Sequence, residues 1–170
     1  MPNLEVLDTP LDGVKLVMPA TNFLDFRGRY LEIYNTDLYK SSQISIDFIQ
    51  DDVSISNKGV LRGVHGDRKT WKLISCLIGT LYVIVVNNDE NSKQYKKWES
   101  FSLSNQNYFQ LLIPPNFGVG HLVMSKSAVF HYKQSTQYDR ESQFTIKWND
   151  SGFNFWWPIK NPITSVRDFA

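Results

Sequence analysis

The sequence predicts an all-β protein, an antiparallel jelly-roll barrel with a few short helices. Period-two alternation of apolar and polar residues recurs along the chain, whereas helical periodicity is scarce. Many short strand-like segments follow one another at regular spacing, separated by turn-forming residues. With 170 residues and 42% hydrophobic content, the chain can bury a sizeable core, and we expect residues 1–170 to form a single domain.

The first elements are expected in the N-terminal third of the chain. Gly28–Ile33 and Ile44–Ile49 have extended patterns, and Asn35–Lys40 between them predicts a short helical turn.

A long apolar run in the middle of the chain predicts two buried strands, Leu73–Ile78 and Leu81–Val86. The Gly79-Thr80 step between them fits a tight hairpin. We therefore expect these two strands to be neighbours in one sheet.

Further strands are predicted towards the C-terminus. They are Glu99–Leu103, Tyr108–Ile113 (which Pro114-Pro115 ends), Ala128–Lys133 and Phe144–Trp148. In the third of these, alternation places Phe130 and Tyr132 on one face and His131 and Lys133 on the other.

Composition excludes several classes of function. A formal net charge of +1 gives no bulk electrostatic attraction to nucleic acid or to a membrane surface. Cys76 is the single cysteine, so the chain can form neither an internal disulfide nor a thiolate zinc site. The start, Met1–Glu5, lacks the features of a signal peptide, and no stretch is long enough to span a membrane. We expect a cytoplasmic protein.

The most informative segment is Gly59–Asp67 with the residues that follow it. It brings Arg62, His65 and Lys72 close together just before the apolar run. An imidazole beside two fixed cations suits removal of a proton from carbon in an anionic substrate: the imidazole takes the proton, one cation holds the oxyanion and the other holds the anionic group. The alternative is a core histidine that bonds to a backbone carbonyl.

Three histidines also raise the question of a metal site. His121 and His131 accompany His65, but no His-x-His pair occurs in the chain. We therefore expect no metal site. Proton transfer by side chains requires no other cofactor, so we expect none.

Two further residues have a structural and a functional interpretation. Tyr132 is a core residue unless it lies across a cavity from His65. Asp168 is a solvated carboxylate near the C-terminus, or it orients the imidazole of His65 and raises its basicity.

The segment around Arg27 also allows two interpretations. Arg27 is either a surface residue in a turn or a clamp for a phosphate group. The aromatic residues Phe23, Phe26, Trp71 and Tyr138 either belong to the core or offer a stacking face for a nucleobase.

Several motifs, taken in order, resemble the dTDP-4-dehydrorhamnose 3,5-epimerase family, cupin-fold enzymes that act on nucleotide-linked 4-keto-6-deoxy sugars. The resemblance covers nearly the whole chain. Its main motifs are Thr9–Val14, Phe23–Glu32, Phe48–Ser56, Gly59–His65, Ile113–Gly118, Phe130–Lys133, Trp148–Asp150, Trp157-Pro158 and Pro162–Asp168.

The resemblance implies a role for each candidate residue. His65 is the general base, Asp168 orients it, Lys72 stabilises the enolate oxygen and Tyr132 is the acid on the opposite face. The implied substrate-binding residues are Arg62, Arg27, Gln50, Glu32, Phe23, Asp52 and Tyr138. The resemblance also implies a homodimer in which Arg27 and Phe23 serve the neighbouring subunit's site.

The chain departs from the common family pattern at three places. The loop before Lys72 is short and begins Gly66-Asp67, Asp52 replaces a common asparagine, and Val119 replaces a common histidine. The loop resembles a sub-group that acts on GDP-linked 4-keto-6-deoxy-heptoses in the synthesis of surface polysaccharides. We therefore expect a GDP-heptose substrate, with dTDP-4-keto-6-deoxyglucose as the alternative, and inversion at C3 alone or at both C3 and C5.

Two other functions compete with epimerisation. A 3,4-ketoisomerase on the same barrel would have an additional histidine where Gly66-Asp67 stands here. A non-catalytic cupin that binds nucleotide sugars would keep the arginines and aromatic residues without needing Tyr132 or Asp168.

Overall fold

The structure is a computed structural model that describes residues 4–169; Met1–Asn3, the start of the N-terminal segment considered above, lie outside the described residues. The strands within the described part are β1 (Glu5–Asp8), β2 (Lys15–Met18), β3 (Asn22–Asp25), β4 (Gly28–Leu31), β5 (Gln50–Asn57), β6 (Leu61–Gly66), β7 (Lys72–Ile78), β8 (Thr80–Asn87), β9 (Trp98–Ser104), β10 (Gln110–Ile113), β11 (Phe117–Val123), β12 (Ser127–Gln134) and β13 (Phe144–Thr145). An α-helix, α1 (Thr36–Ser41), and a 3-10 helix at Val166–Phe169 accompany them.

Two antiparallel sheets pack face to face, as the predicted jelly roll requires. The first sheet has the strand order β1-β2-β10-β7-β12-β5, and the second has the order β13-β6-β11-β8-β9. Strands β3 and β4 form a separate hairpin. The all-β jelly-roll prediction is confirmed.

The core explains why the central run is continuously apolar. Val83 and Val85 of β8 point between the sheets and pack with Ile74 of β7. Ile84 and Val86 point the other way, where the C-terminal segment covers the outer face of the second sheet. A strand that is buried on both faces loses the polar half of the alternation.

The predicted hairpin at Gly79-Thr80 is wrong. Strand β7 pairs with β10 and β12, whereas β8 pairs with β9 and β11, so the chain crosses from one sheet to the other at Gly79. Gly79 has a φ of +85°, and a Cβ there would lie 2.2 Å from the Ser127 carbonyl oxygen. A tight corner between sheets requires the same glycine as a hairpin, so local sequence does not distinguish the two.

Ile44–Ile49 is not a strand, although its side chains alternate as predicted. Ile44, Ile46 and Phe48 pack with the buried Tyr39 against the outer face of the first sheet. The segment has the burial alternation of a strand without a strand's ladder of backbone hydrogen bonds. The predicted helical turn is confirmed as α1, whose first amides bond to the side chain of Asn35.

The other predicted strands are present, with altered ends. Three are shorter than expected. The strand predicted at Gly28–Ile33 ends at Leu31, the strand predicted at Tyr108–Ile113 begins at Gln110, and the strand predicted at Phe144–Trp148 is reduced to β13. Strands β9 and β12 contain the predicted segments in full. No helix among residues 4–169 is long and apolar enough to cross a membrane.

Candidate active site

A cavity of about 380 Å³ lies between the two sheets. Strand β6 brings His65 to it from the second sheet, and strand β12 brings Tyr132 from the first. The lining residues are Asp52, Ser54, Arg62, His65, Lys72, Ile74, Val119, His121, Phe130, Tyr132, Gln134, Tyr138, Gln143, Ser165, Arg167 and Asp168. The two rings thus share one compartment, and they enter it from opposite walls.

His65 is held at both ring nitrogens. Its Nε2 lies 3.0 Å from Oδ1 of Asp168, and its Nδ1 lies 3.2 Å from Oγ1 of Thr145. Because a carboxylate only accepts hydrogen bonds, the neutral imidazole carries its hydrogen on Nε2 and keeps a lone pair on Nδ1. The lone pair on Nδ1, which the Thr145 hydroxyl also approaches, is the only one on the neutral ring that can accept a proton, so a general base at His65 would use it.

The 3-10 helix at the C-terminus places the buried carboxylate of Asp168. Its Oδ1 also accepts the backbone N–H of Gly63 at 3.1 Å, and its Oδ2 accepts the N–H and the hydroxyl of Ser165, both at 2.7 Å. Burial opposes ionisation, but these hydrogen bonds hold the pKa of Asp168 below its ordinary value. Asp168 is therefore an anion beside His65 at neutral pH.

The imidazole of His65 is neutral under the same conditions. Burial lowers its pKa below 6.5, and the positive charge of Arg167 lowers it further. The negative charge of Asp168 works in the opposite direction without reversing the shift. An unprotonated imidazole near neutral pH is the form that a general base requires.

Lys72 opens strand β7 and lies almost fully buried in the cavity wall. Burial lowers its pKa, and Asp67 opposes this shift with a carboxylate oxygen 3.6 Å from the ammonium nitrogen. Asp67 also accepts the backbone N–H groups of Lys69 and Thr70 at 2.9 and 2.7 Å. The short loop is thus organised around Asp67, which supports a buried cation.

Tyr132 remains protonated at neutral pH. Burial raises the pKa of its phenol, and the negative charge of Asp52 raises it further. Its ring packs near Phe130, with 5.2 Å between ring centroids. A protonated phenol on the wall opposite His65 can donate a proton to a group bound between them.

The predicted binding residues fall into three groups: those that line the cavity, one that lies behind it, and those that do not reach it. Arg62, Asp52 and Tyr138 line the cavity. Gln50 lies behind it, because its amide donates to Asp52 at 2.8 Å and its side-chain oxygen accepts the N–H of Tyr138 at 2.7 Å.

The structure does not bring the other predicted binding residues to the cavity of their own chain. Arg27 and Phe23 lie on the exposed β3–β4 hairpin, where Arg27 pairs with Asp25 at 2.6 Å. Glu32 follows the hairpin and accepts a hydrogen bond from Asn35 at 3.4 Å.

Sequence reasoning missed six polar residues of the cavity lining: Ser54, His121, Gln134, Gln143, Ser165 and Arg167. Arg167 donates to the hydroxyl of Tyr138 at 3.0 Å and to the side-chain oxygen of Gln143 at 2.6 Å. The adjacency of Arg167 to Asp168 in the chain was the available signal. Among the described residues, no group of three His, Cys, Asp or Glu side chains is arranged to hold a metal ion.

The jelly roll and this cavity define a class of protein, a cupin-fold barrel with acid–base groups on two facing walls. Residues 8–170 match the model of the family described as dTDP-4-dehydrorhamnose 3,5-epimerase. The chain belongs to this family, and it is therefore an enzyme of the carbohydrate epimerase class.

Curated relatives support the same family. The chain is 33% identical to the dTDP-4-dehydrorhamnose 3,5-epimerase of Shigella flexneri, over 97% of this chain and 93% of that protein. It is 35% identical to the Escherichia coli K12 protein of the same name, over 97% and 91%. A Neisseria gonorrhoeae relative of that name is 34% identical over 98% of this chain, which spans only 52% of that longer protein.

Solved structures agree in fold. The dTDP-6-deoxy-D-glucose-3,5-epimerase of Legionella pneumophila, in complex with dTDP-4-keto-L-rhamnose, has a TM-score of 0.92 at 32% identity, covering 98% of this chain and 90% of that one. The Bacillus anthracis dTDP-4-dehydrorhamnose 3,5-epimerase, with TDP and pyrophosphate bound, has a TM-score of 0.91 at 31% identity, covering 97% and 96%. These names favour the dTDP alternative over the expected GDP-heptose.

Proposed function

We propose that this protein epimerises a dTDP-linked 4-keto-6-deoxy sugar at C3, or at both C3 and C5. The observation that carries the proposal is that His65, oriented by Asp168, and Tyr132 line one cavity from opposite sheets. The relatives named above act on, or bind, dTDP-linked compounds, which supports this choice of nucleotide.

The chemistry of a 4-keto sugar matches these groups. The ketone acidifies the hydrogens on C3 and C5, because the carbanion delocalises onto the ketone oxygen as an enolate. His65 removes the proton from one face of the ring, and Tyr132 returns a proton from the other face. Lys72 stabilises the negative charge that forms on the oxygen between these two steps. Inversion results because removal and return occur on opposite faces.

Two guanidinium groups are suited to the diphosphate. Arg62 and Arg167 both line the cavity, and neither forms a salt bridge within the described residues. Planar guanidinium groups match pairs of phosphate oxygens. Tyr138, which Arg167 positions by a hydrogen bond, offers an aromatic ring beside them.

The substrate site extends to a second subunit in this proposal. Strand β5 is the exposed edge of the first sheet and carries Val53 and Ile55, which are 56% and 73% exposed. Exposed apolar side chains along an unpaired edge favour association. Phe23 and Arg27 on the projecting β3–β4 hairpin would then contribute to the cavity of the partner subunit, which explains why they do not reach their own.

Asp67 does not by itself indicate a GDP-linked substrate. The expectation of GDP-heptose depended on the short loop that begins Gly66-Asp67. Asp67 bonds to loop amides and supports Lys72, and it is absent from the cavity lining.

The direct experiment is proton NMR in deuterated water with dTDP-4-keto-6-deoxyglucose and GDP-4-keto-6-deoxy-heptose as parallel substrates. We expect deuterium at C3, or at C3 and C5, of the dTDP compound, together with an inverted product. Faster exchange of the GDP compound would assign the GDP-heptose reaction instead. A carbonyl moved to C3 would indicate a ketoisomerase, and binding without exchange of either compound would indicate a non-catalytic protein.

A further inference from the structure

His121 is a buried imidazole of the cavity that the mechanism above does not use. It belongs to β11, is 5% exposed, and lines the cavity on the same strand face as Val119. Its ring stacks on Phe130, with centroids 4.2 Å apart and an interplanar angle of 23°. Its Nε2 is sealed from solvent and has no hydrogen-bond partner within residues 4–169.

Packing alone does not explain a histidine at this place. A buried nitrogen without a partner loses its hydrogen bond to water and gains none in return. A phenylalanine ring would fill nearly the same space and would keep the stack on Phe130. His131 of β12 shows the ordinary solution for a buried imidazole, because its two nitrogens bond to Ser75 at 3.2 Å and Asp51 at 3.0 Å.

The charge state of His121 limits what it can bind. Burial, with the nearby positive charge of Arg62, lowers its pKa to about 3, so the ring is neutral near neutral pH. A neutral imidazole offers one donor and one acceptor. A sugar hydroxyl offers the same pair, whereas a ketone or enolate oxygen only accepts and is already matched by the ammonium of Lys72.

We propose that His121 is a specificity residue that forms a hydrogen bond with a hydroxyl group of the bound sugar ring. The proposal rests on the function proposed above and names one group that recognises the sugar. A half-turn of the ring about the Cβ–Cγ bond preserves the stack on Phe130 and exchanges a carbon for the sealed nitrogen. In this proposal the turned ring presents Nε2 to the bound sugar, because in the free protein that nitrogen is sealed from the cavity as well as from bulk solvent.

The test compares His121→Phe with wild type in two measurements. Titration calorimetry with dTDP and with dTDP-4-keto-6-deoxyglucose separates nucleotide binding from sugar binding, and every protein compared carries His65→Asn so that the sugar is not turned over during the titration. We expect His121→Phe to bind dTDP as wild type does and to bind the sugar nucleotide about 10-fold more weakly, the effect of one hydrogen bond. Thermal unfolding should show an unchanged or higher Tm, because an unpartnered polar group has been removed.

Two further variants sharpen the test. His121→Asn keeps a donor and an acceptor and should recover part of the lost sugar binding. His131→Phe is the matched control, since it removes a partnered histidine outside the cavity. It should lower Tm and leave the ratio of the two dissociation constants unchanged.

The outcomes separate this proposal from the proposed function. If His121→Phe binds both ligands as wild type does, or if its Tm falls as far as that of His131→Phe, the role of His121 is refuted while the epimerase assignment stands. If wild type binds the sugar nucleotide no more tightly than dTDP, the sugar contact is refuted directly. If wild type binds the sugar nucleotide but does not exchange deuterium, the epimerase assignment fails and the contact of His121 is still decided by the calorimetry.

Discussion

Replacement of Asp168 by asparagine tests the activation of His65. All four hydrogen-bond partners of the carboxylate are donors: the Nε2–H of His65, the N–H of Gly63, and the N–H and hydroxyl of Ser165. An amide has one accepting oxygen, so in the Asp168→Asn variant one side of the new amide must point its NH₂ group at a backbone N–H. If the NH₂ group points at His65, its Nε2 must become the acceptor, and the hydrogen of the imidazole moves to Nδ1. The lone pair that the base needs on Nδ1 is then lost.

The expected loss follows from the bond that is removed. A hydrogen bond to a charged group contributes about 1.5–3 kcal/mol. If the transition state loses that stabilisation, kcat/KM falls roughly 10- to 150-fold, since each 1.36 kcal/mol is a factor of about ten. The pKa of His65 also falls, because the negative charge of Asp168 raises it. The acid limb of the kcat/KM profile should therefore move to lower pH.

The assay is the rate of deuterium incorporation into dTDP-4-keto-6-deoxyglucose, followed by proton NMR from about pH 5 to 9. Asp150→Asn is the matched control, because Asp150 also accepts two backbone N–H groups, those of Gly152 and Phe153, but does not line the cavity. If Asp168→Asn exchanged deuterium at a rate within about threefold of wild type, and the acid limb of its kcat/KM profile did not move, the proposed activation of His65 by Asp168 would be refuted.

Three other predictions concern the site and the fold. Lys72→Met should reduce kcat/KM on the order of 100- to 1,000-fold, because the buried cation that stabilises the enolate is lost, while the enzyme still binds dTDP. A reduction below about 10-fold would show that Lys72 does not stabilise the enolate. The kcat/KM profile of wild type should rise with pH through a pKa below 6.5 as His65 loses its proton, because burial lowers the pKa of that imidazole. It should fall at alkaline pH, first as Lys72 loses its proton, since burial lowers the pKa of its ammonium, and then as Tyr132 ionises, since burial raises the pKa of its phenol. An acid limb above pH 7 would contradict this. Gly79→Ala should lower the free energy of unfolding in urea by about 2–4 kcal/mol. Gly59→Ala is the control, because Gly59 has a similar φ of +81° but an added Cβ would lie no closer than 3.9 Å to another residue; it should cost only about 1–2 kcal/mol. Equal losses in the two variants would show that backbone strain rather than crowding matters at Gly79.

The fold class could be predicted because alternation of burial is a local property. It identified β7, β8, β9 and β12 correctly. It failed where the same local pattern serves two arrangements. Gly79 has the positive φ of a hairpin glycine at a corner between sheets, and Ile44–Ile49 alternates in burial without pairing its backbone. Which strand pairs with which depends on contacts distant in sequence, which periodicity does not record.

The candidate site was predictable only in part for the same reason. His65, Lys72 and Arg62 are close in sequence, and their residue types suggested chemistry. His65 and Asp168 are 103 positions apart in the sequence but lie 3.0 Å apart in the structure, and the family resemblance was the only signal of this contact. Arg167 had only its position next to Asp168 as a signal. His121 had none, because its importance comes from lining a cavity that forms only when both sheets are in place.

The association proposed from strand β5 has its own consequence for the hairpin. If Arg27 reaches the cavity of a partner subunit, Arg27→Ala should weaken binding of dTDP while the dimer persists in light-scattering measurements. Lys126→Ala is a suitable control, since it removes an exposed cation on the turn before β12 that does not line the cavity. A monomer in solution at assay concentrations would contradict the shared site.

The central claim is that a proton leaves one face of the sugar to His65 and another arrives on the opposite face from Tyr132. The most direct measurement is the separate rate of deuterium exchange and of inversion in His65→Asn and Tyr132→Phe, by proton NMR with dTDP-4-keto-6-deoxyglucose. We predict that His65→Asn loses both, whereas Tyr132→Phe retains exchange and loses most inversion. Exchange at the wild-type rate in His65→Asn, or full inversion in Tyr132→Phe, would contradict it.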